Sequence, residues 1–296
     1  MSRGVNFAIL TALISGIAVF INGIAVKLSD PVVYTLMKNS GALLFLVAIA
    51  FLFNEWHRFK GLSGKQLGYL VLIGLVGGSI PFALFFTGLK MSGAAMSSFI
   101  FRSLFVFAGV FGYLILKEKA EPKHFLAGFL ILLGNVLLIP GEIAFGLGHL
   151  LVLGATALWA LEYTVSRMLL KDLHPRVVMA SRMLFGSAAL LIFLGATGAL
   201  AEVVLDAELL AWLALASILL TGFLVSWYTA LKHLEVLKAT SILATGGIVT
   251  AVLNLAFLGK VVTLTDAFGL GLILLGAAIM ASISDLLSRV PVPVVR

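Results

Sequence analysis

Long apolar segments recur along the whole chain and constrain its fold more than any other feature. A helix needs about 20 apolar residues to cross the hydrocarbon core of a bilayer. Ten segments of about this length lie between polar clusters, at residues 5–27, 32–54, 66–88, 92–115, 123–140, 147–169, 177–198, 209–231, 237–258 and 267–287. Only 11% of the residues are charged, too few to cover a soluble domain with polar surface. The sequence predicts an all-α integral membrane protein with ten transmembrane helices.

Basic residues are distributed unevenly between the connections of these helices. Three lie on one side, namely Lys27, Lys90 and Lys260. Thirteen lie on the other: Arg3, Arg58, Lys60, Lys65, Lys117, Lys119, Lys123, Lys171, Arg176, Lys232, Lys238, Arg289 and Arg296. Because cytoplasmic loops retain Lys and Arg, both termini are predicted to be cytoplasmic, as in a multi-pass protein of a prokaryotic cell (inner) membrane. Topology also explains the net charge of +7, so we expect no nucleic-acid partner.

The residues that usually hold metals, disulfides or nucleotides are missing or scattered. The chain has no cysteine, and its five histidines form no metal-binding pair. No glycine loop ending in Lys-Ser or Lys-Thr is present, so ATP is not expected to drive the protein directly. We therefore expect no metal and no cofactor.

Two halves of the sequence resemble each other. Residues 87–90 (TGLK) recur at 229–232 (TALK), and residues 130–134 (LILLG) recur at 272–276, both 142 positions later. Lys27, Pro31 and Lys38 match Lys171, Pro175 and Arg182, 144 positions later. We predict two five-helix repeats, residues 1–144 and 145–296. Because five is odd, the second repeat is inverted, and inverted repeats are typical of transporters that bind substrate near the bilayer midplane.

This pattern resembles the EamA-type members of the drug/metabolite transporter superfamily. The resemblance rests on the inverted five-helix halves, each with a hairpin at a Leu-Lys pair and an LILLG segment, and it covers essentially the whole chain. Where the fourth helix of each half usually ends in an acidic position, the first half has Glu118 and the second has Lys260. The resemblance implies a secondary transporter or exporter of small metabolites, with a central cavity and no ATP site.

Of the charged residues within the predicted helices, we single out five, because a charge at bilayer depth costs about 2.5 to 3.5 kcal/mol on insertion scales. Arg167 is close enough to a helix end to extend to the headgroups. Arg102 lies about 15 Å into its helix and is the best single candidate for a substrate contact. Lys38 and Arg182 occupy matching positions and suit the path of an anion, unless each instead pairs with or caps a neighbouring helix.

Glu162 is the fifth of these residues, and Arg182 is its natural partner. A pair would make Glu162 a neutralising strut, whereas a carboxyl that faces the cavity could couple transport to a proton. Without Arg167, three cations face one anion, which favours a substrate that carries carboxylate or phosphate.

Aromatic and amide residues within the helices provide further candidates. Trp159 and Tyr163 share a face of one helix, and Trp227 and Tyr228 lie within another. They could contact a substrate or pack helices together. Asn22 could hydrogen-bond in a cavity or to another helix.

The leading hypothesis is a secondary active transporter that moves a small organic anion by alternating access, with protons or an exchanged metabolite as the coupling species. A membrane enzyme that acts on a lipid-linked substrate is one alternative, because Glu118, Glu121 and His124 lie together in one connection. A passive channel is the other. We expect no enzymatic activity.

Overall fold

Helices form nearly all of the part of the chain that a computed structural model describes, which is residues 3–118, 122–138, 146–199, 206–257 and 263–288. No strand occurs within these ranges. The helices are α1 (Arg3–Ala25), α2 (Pro31–Leu52), α3 (Gly64–Ile73), α4 (Ile80–Arg102), α5 (Leu104–Phe111), α6 (Pro122–Leu137), α7 (Leu147–Leu169), α8 (Pro175–Thr197), α9 (Ala207–His233), α10 (Val236–Ala244), α11 (Gly247–Phe257) and α12 (Leu264–Ser288). The predicted all-helical class is confirmed.

Seven stretches of the described chain are long and apolar enough to cross a membrane, and one of them, Gly64–Leu116, has 53 residues. This stretch folds back at Gly93, where φ is +77°. The rings of Phe85 and Phe101 lie 5.8 Å apart, whereas a straight helix would separate them by about 24 Å. Glycine adopts this positive φ without steric cost, so Gly93 makes a hairpin between the predicted third and fourth spans.

Polar residues set several helix ends. The Asp30 carboxylate accepts hydrogen bonds from the N–H groups of Val32 and Val33 at the start of α2. Asp206 accepts one from Leu209 at the start of α9. These side chains satisfy backbone donors that a helix leaves free at its N-terminus, so the segments begin where the sequence places its short polar turns.

Small residues allow the helices to pack closely. A Cβ atom on Gly78 would lie 2.2 Å from the carbonyl oxygen of Arg182, and one on Gly134 would lie 2.4 Å from that of Gly269. Close packing of this kind replaces the hydrophobic effect as the main source of helix association in lipid. Glycines therefore hold α8 against the segment before α4, and α6 against α12.

Two of the predicted spans are broken near their middle. Ser103 separates α4 from α5, and its N–H and Oγ both donate to the carbonyl of Ile100, at 3.0 and 2.7 Å. Thr245 ends α10 in the same way, because its N–H and Oγ1 donate to Ile242 at 3.1 and 2.7 Å. A hydroxyl that bonds back to the preceding turn bends a helix. Ser103 and Thr245 lie 142 positions apart, the separation of the sequence repeats.

A third irregularity is a π-helical segment, Gly74–Ser79, between α3 and α4. The wider turn releases backbone carbonyls from the regular helical pattern. It lies against α8, and the carbonyls of Gly77 and Gly78 accept hydrogen bonds from side chains of α2, α7 and α8.

Candidate functional site

A cavity of about 70 Å³ lies at the centre of the bundle. It is enclosed by α1, α2, α4, α7, α8 and α9, so both halves of the chain contribute to its wall. Its lining residues are Ser15, Ala18, Val19, Asn22, Lys38, Phe82, Phe85, Phe86, Phe101, Trp159, Tyr163, Arg182, Ala216, Leu220 and Phe223. Five of the nine residues that the sequence analysis selects are in this set: Asn22, Lys38, Trp159, Tyr163 and Arg182.

Lys38 lies on α2 and is 2% exposed. Its ammonium nitrogen lies 3.9 Å from the ring centroid of Phe86, 4.5 Å from that of Phe82 and 5.9 Å from that of Tyr34. Among the described residues, no carboxylate pairs with this ammonium and no acceptor takes a hydrogen bond from it. Aromatic faces compensate for part of its lost hydration, and its three N–H donors remain available to a ligand.

Arg182, the matching cation on α8, is paired. One of its guanidinium nitrogens, Nη1, lies 3.4 Å from Oε2 of Glu162 and donates to the hydroxyl of Tyr228 at 3.2 Å. The Tyr228 hydroxyl in turn donates to Oε1 of Glu162 at 2.7 Å, and Ser166 donates to the same oxygen. The structure thus places Glu162 as the counter-ion of Arg182, with Tyr228 linking the two.

The π-helical segment fixes this arrangement from the opposite side. The carbonyl of Gly77 accepts hydrogen bonds from Nη2 of Arg182 at 2.9 Å and from Nε1 of Trp159 at 3.0 Å. The carbonyl of Gly78 accepts one from Asn39 at 2.8 Å. An irregular turn within a span is tolerated where its carbonyls find partners of this kind.

Trp159 is the centre of an aromatic cluster. Its ring centroid lies 5.0 Å from that of Phe82, 5.2 Å from Phe85 and 5.4 Å from Phe101. These phenylalanines are not among the site residues predicted from the sequence. Phe82, Phe85 and Phe86 have the spacing of one helix face, which was the available signal, but lipid-facing phenylalanines can show the same spacing.

The other aromatic and amide candidates lie at or behind the wall. Trp227 packs against Tyr163, with ring centroids 4.6 Å apart, and is fully buried. Asn22 lines the cavity and accepts a hydrogen bond from the hydroxyl of Tyr34 at 2.5 Å. Asn22 therefore makes the bond to another helix that the sequence left open, from a position at the cavity wall.

Arg102 does not line the cavity. It is 1% exposed, and its Nη1 donates to Oγ of Ser15 at 3.1 Å and to the carbonyl of Leu243 at 2.9 Å. Its Nε and Nη2 have no hydrogen-bond partner among the described residues. The side chain lies behind Ser15 and connects the break after α4 to the carbonyl end of α10.

A polar contact closes one end of the bundle, and we call it the Glu118 clamp: Glu118, Arg167 and the N–H of Val236. Glu118 accepts a hydrogen bond from Val236 at 2.9 Å and lies 3.8 Å from Nε of Arg167. Arg167 also donates to the carbonyls of Leu231 and Lys232, at 2.9 and 2.6 Å. Arg167 therefore caps α9 in addition to lying near the bundle end.

The two carboxylates at this end have opposite pKa shifts. Burial raises the pKa of Glu118, and the hydrogen bond from Val236 and the charge of Arg167 only partly oppose it. Burial also raises the pKa of Glu55, but a hydrogen bond and the charge of Arg176, together with Arg58, bring it below its usual value. The loop carboxylate is therefore stabilised in its charged form, whereas that of the clamp is not.

A second cavity, of about 400 Å³, lies at the opposite end, where exposed Lys27 borders it. We call it the Lys27 cavity. Its lining residues are Phe20, Gly23, Ile24, Lys27, Ser92, Gly93, Ala94, Ala95, Met96, Ser98, Phe99, Asn135, Leu138, Gly247, Thr250, Ala251, Asn254, Leu255 and Asp266.

The enzyme alternative rested on Glu118, Glu121 and His124, and the structure describes two of these residues. Glu121 lies outside the described residues, Glu118 belongs to the clamp, and His124 is buried at the start of α6. Among the described residues, no group of three His, Asp or Glu side chains could hold a metal ion.

Comparison with known families gives two matches along the chain. The model of the EamA-like transporter family matches residues 2–139 and again residues 146–282. The chain belongs to the EamA-like transporter family. It is accordingly a membrane transporter and a multi-pass integral membrane protein, as its apolar helices indicate.

Relatives of this EamA-like transporter carry the description "uncharacterized transporter". One from Clostridium kluyveri is 25% identical over 74% of this chain and 73% of its own length. One from Methanothermobacter thermautotrophicus is 32% identical over 55% of this chain and 52% of its own. One from Archaeoglobus fulgidus is 31% identical over 58% and 62%.

The fold is also known from experiment. A crystal structure of a protein that is 18% identical superposes with a TM-score of 0.73, over 97% of this chain and 98% of its own. At this identity, the likeness establishes the shared fold alone.

Proposed function

We propose that this chain is a secondary active transporter that moves a small organic anion, carrying carboxylate or phosphate, by alternating access. The observation that carries the proposal is Lys38, a buried ammonium without a counter-ion among the described residues, at the wall of a cavity between the two halves. A buried charge without a partner is costly, and an anionic ligand would supply that partner.

The proposed topology has ten spans in two inverted repeats, with both termini in the cytoplasm of a prokaryotic cell. The hairpin at Gly93, the matching breaks at Ser103 and Thr245, and the two family matches all support the duplication. The basic residues at the Glu118 end support its cytoplasmic position. With this topology, the Lys27 cavity faces outward.

Counterflow in proteoliposomes tests this function. Purified protein is reconstituted with an unlabelled member of a panel of carboxylates and phosphate esters inside, and saturable uptake of its labelled form is measured. Lys38→Met should reduce uptake at least about tenfold, because the anion loses its counter-charge. Lys65→Met, which replaces an exposed lysine on α3, is the matched control and should leave uptake unchanged.

Three results would contradict the proposal. Wild-type rates in Lys38→Met would remove Lys38 from the substrate path. A chemically altered product would favour an enzyme, and uptake that does not saturate would favour a passive channel. Coupling to protons or to an exchanged metabolite is decided in the same vesicles by imposing a pH gradient or an internal anion.

A further inference from the structure

The charged groups at the wall of the central cavity are few. Lys38 and Arg182 are the charged side chains among its lining residues. The charge of Arg182 is neutralised within the protein, because Glu162 lies 3.4 Å from its guanidinium. Glu162 also accepts hydrogen bonds from Ser166 and Tyr228. Among the described residues, the contacts of the Lys38 ammonium are with aromatic rings, and no carboxylate pairs with it. One positive charge at the wall therefore remains uncompensated.

Arg102 does not add a second contact charge. Its Nη1 is occupied by Ser15 and by the carbonyl of Leu243, which lies one residue before the end of α10. The carbonyl end of a helix carries a partial negative charge, so this position partly compensates the guanidinium, whose Nε and Nη2 have no hydrogen-bond partner among the described residues. Ser15, which accepts one of these bonds, lines the cavity, whereas Arg102 does not.

A ligand with two negative charges would find only one unpaired positive charge at the wall. Its first charge would pair with Lys38, and its second would approach an arginine whose counter-ion is already in place. The surrounding wall is mostly apolar, with aromatic rings and aliphatic side chains, and cannot solvate an unpaired charge. A ligand with one charge leaves no such group unpaired.

We infer that the central cavity selects a ligand with a single negative charge, a monocarboxylate, and that Glu162 is the residue that excludes dianions by neutralising Arg182. This inference rests on the proposed function and narrows its substrate class. Glu162 thus acts on specificity through Arg182, as a positioning residue, without contacting the ligand.

A pair of probes of the same shape tests the inference. In 3-methylbutanoate, two methyl groups replace the two oxygens of one carboxylate of malonate, so the probes differ mainly in charge. Binding to purified protein is followed by the rise in melting temperature and by tryptophan fluorescence, since Trp159 lines the cavity. Wild type should bind 3-methylbutanoate at least about tenfold more tightly than malonate near neutral pH.

Glu162→Gln should release Arg182 and strengthen malonate binding about tenfold or more, with little change for 3-methylbutanoate. Thr164→Ala is the matched control, because it removes a buried hydroxyl of the same helix that donates to Ala160 and not to Glu162, and it should keep the wild-type ratio. A wild type that binds both probes equally, or a Glu162→Gln variant with an unchanged ratio, would overturn the inference.

Measurements on wild type alone keep the inference testable if Glu162→Gln does not fold. Near pH 5, malonate takes up a proton and becomes largely a monoanion, and its affinity should then approach that of 3-methylbutanoate. Malonate that binds no better at this pH would overturn the charge limit. Failure of the proposed function is separate, because it would appear as an absence of counterflow for every anion in the panel.

Discussion

The two ends of the bundle are built differently. At one end, the Glu118 clamp joins the C-terminal ends of α7 and α9 and the N-terminus of α10 through hydrogen bonds and an ion pair. At the other end, the Lys27 cavity occupies about 400 Å³ between α1, the Gly93 hairpin and α11. Polar contacts thus join the helices at one end. At the other end, small residues such as Gly23 and Ala94 line the open Lys27 cavity.

The repeats place the same positions at both ends. The separation of 144 positions matches Arg167 with Gly23, and that of 142 positions matches Val236 with Ala94. Gly23 and Ala94 line the Lys27 cavity, and a Cβ on Gly23 would lie 2.7 Å from that of Ala94. At matching positions of the sequence repeats, Arg167 therefore belongs to the Glu118 clamp, whereas Gly23 has no side chain and borders the Lys27 cavity.

The largest effect is expected from Arg167→Ala, which removes the bonds to Leu231 and Lys232 and the partner of Glu118. The free energy of unfolding should fall by about 2 kcal/mol, within the range for hydrogen bonds to charged groups. Thermal unfolding in detergent measures it. Lys65→Ala, on an exposed part of α3, is the control and should be neutral; an equal loss in both variants would deny the clamp any special role.

Gly23→Val tests the open end. Its added side chain would collide with Ala94, and this overpacking should cost about 1 kcal/mol, the lower end of the usual range, because the Lys27 cavity beside it leaves room to relax. It should also narrow the Lys27 cavity and slow maleimide labelling of Asn254→Cys, a lone thiol in a chain without cysteine. Gly68→Val is the control, because no atom lies within 4 Å of its Cβ position. Unchanged labelling in Gly23→Val would contradict this prediction.

The pH dependence of stability should distinguish Glu118 from an ordinary carboxylate. Because folding raises its pKa, its contribution to stability is complete below the usual carboxyl pKa and is lost as the pH rises through the folded-state value. Glu118→Gln should remove this loss, so its unfolding free energy should change less with pH above about 4.5. A profile identical to wild type would show that Glu118 does not titrate in this way.

Glu55 should behave in the opposite sense and with the smallest effect. Its pKa is lowered on folding, so its contribution is present above the usual carboxyl pKa and is lost as the pH falls through the folded-state value. Glu55→Gln should cost about 1 kcal/mol or less at neutral pH, because such pairs near the surface are weak. Acid unfolding is the measurement, and a larger loss than in Arg167→Ala would reverse the ranking.

The sequence predicted the helical class and the hairpin between the third and fourth spans, and five of its nine candidate residues line the central cavity. Charged residues within spans stand out because a charge in lipid is costly. Lys38 and Arg182 were placed at matching positions, and Arg182 was matched with Glu162. Arg102 could not be placed, since its depth does not say which neighbour it meets. Its carbonyl partner, Leu243, lies at the break between α10 and α11, which the sequence does not announce.

Phenylalanines and irregular turns were harder to predict for a related reason. Lipid is as apolar as the interior, so a helix such as α4 shows no polar face that separates cavity from bilayer. Phe82 and Phe85 therefore look like lipid-facing residues. The breaks at Ser103 and Thr245 depend on single hydroxyls, which are common in helices that stay straight.

The break at Thr245 turns α10 into a short lever. Its nine residues span about 13 Å from this pivot to Val236. A tilt of about 10° at the pivot would move the Val236 nitrogen by about 2 Å, enough to lose its 2.9 Å bond to Glu118. A small rotation of α10 at Thr245, beside Arg102, would therefore be enough to break the Glu118 clamp at the end of the bundle.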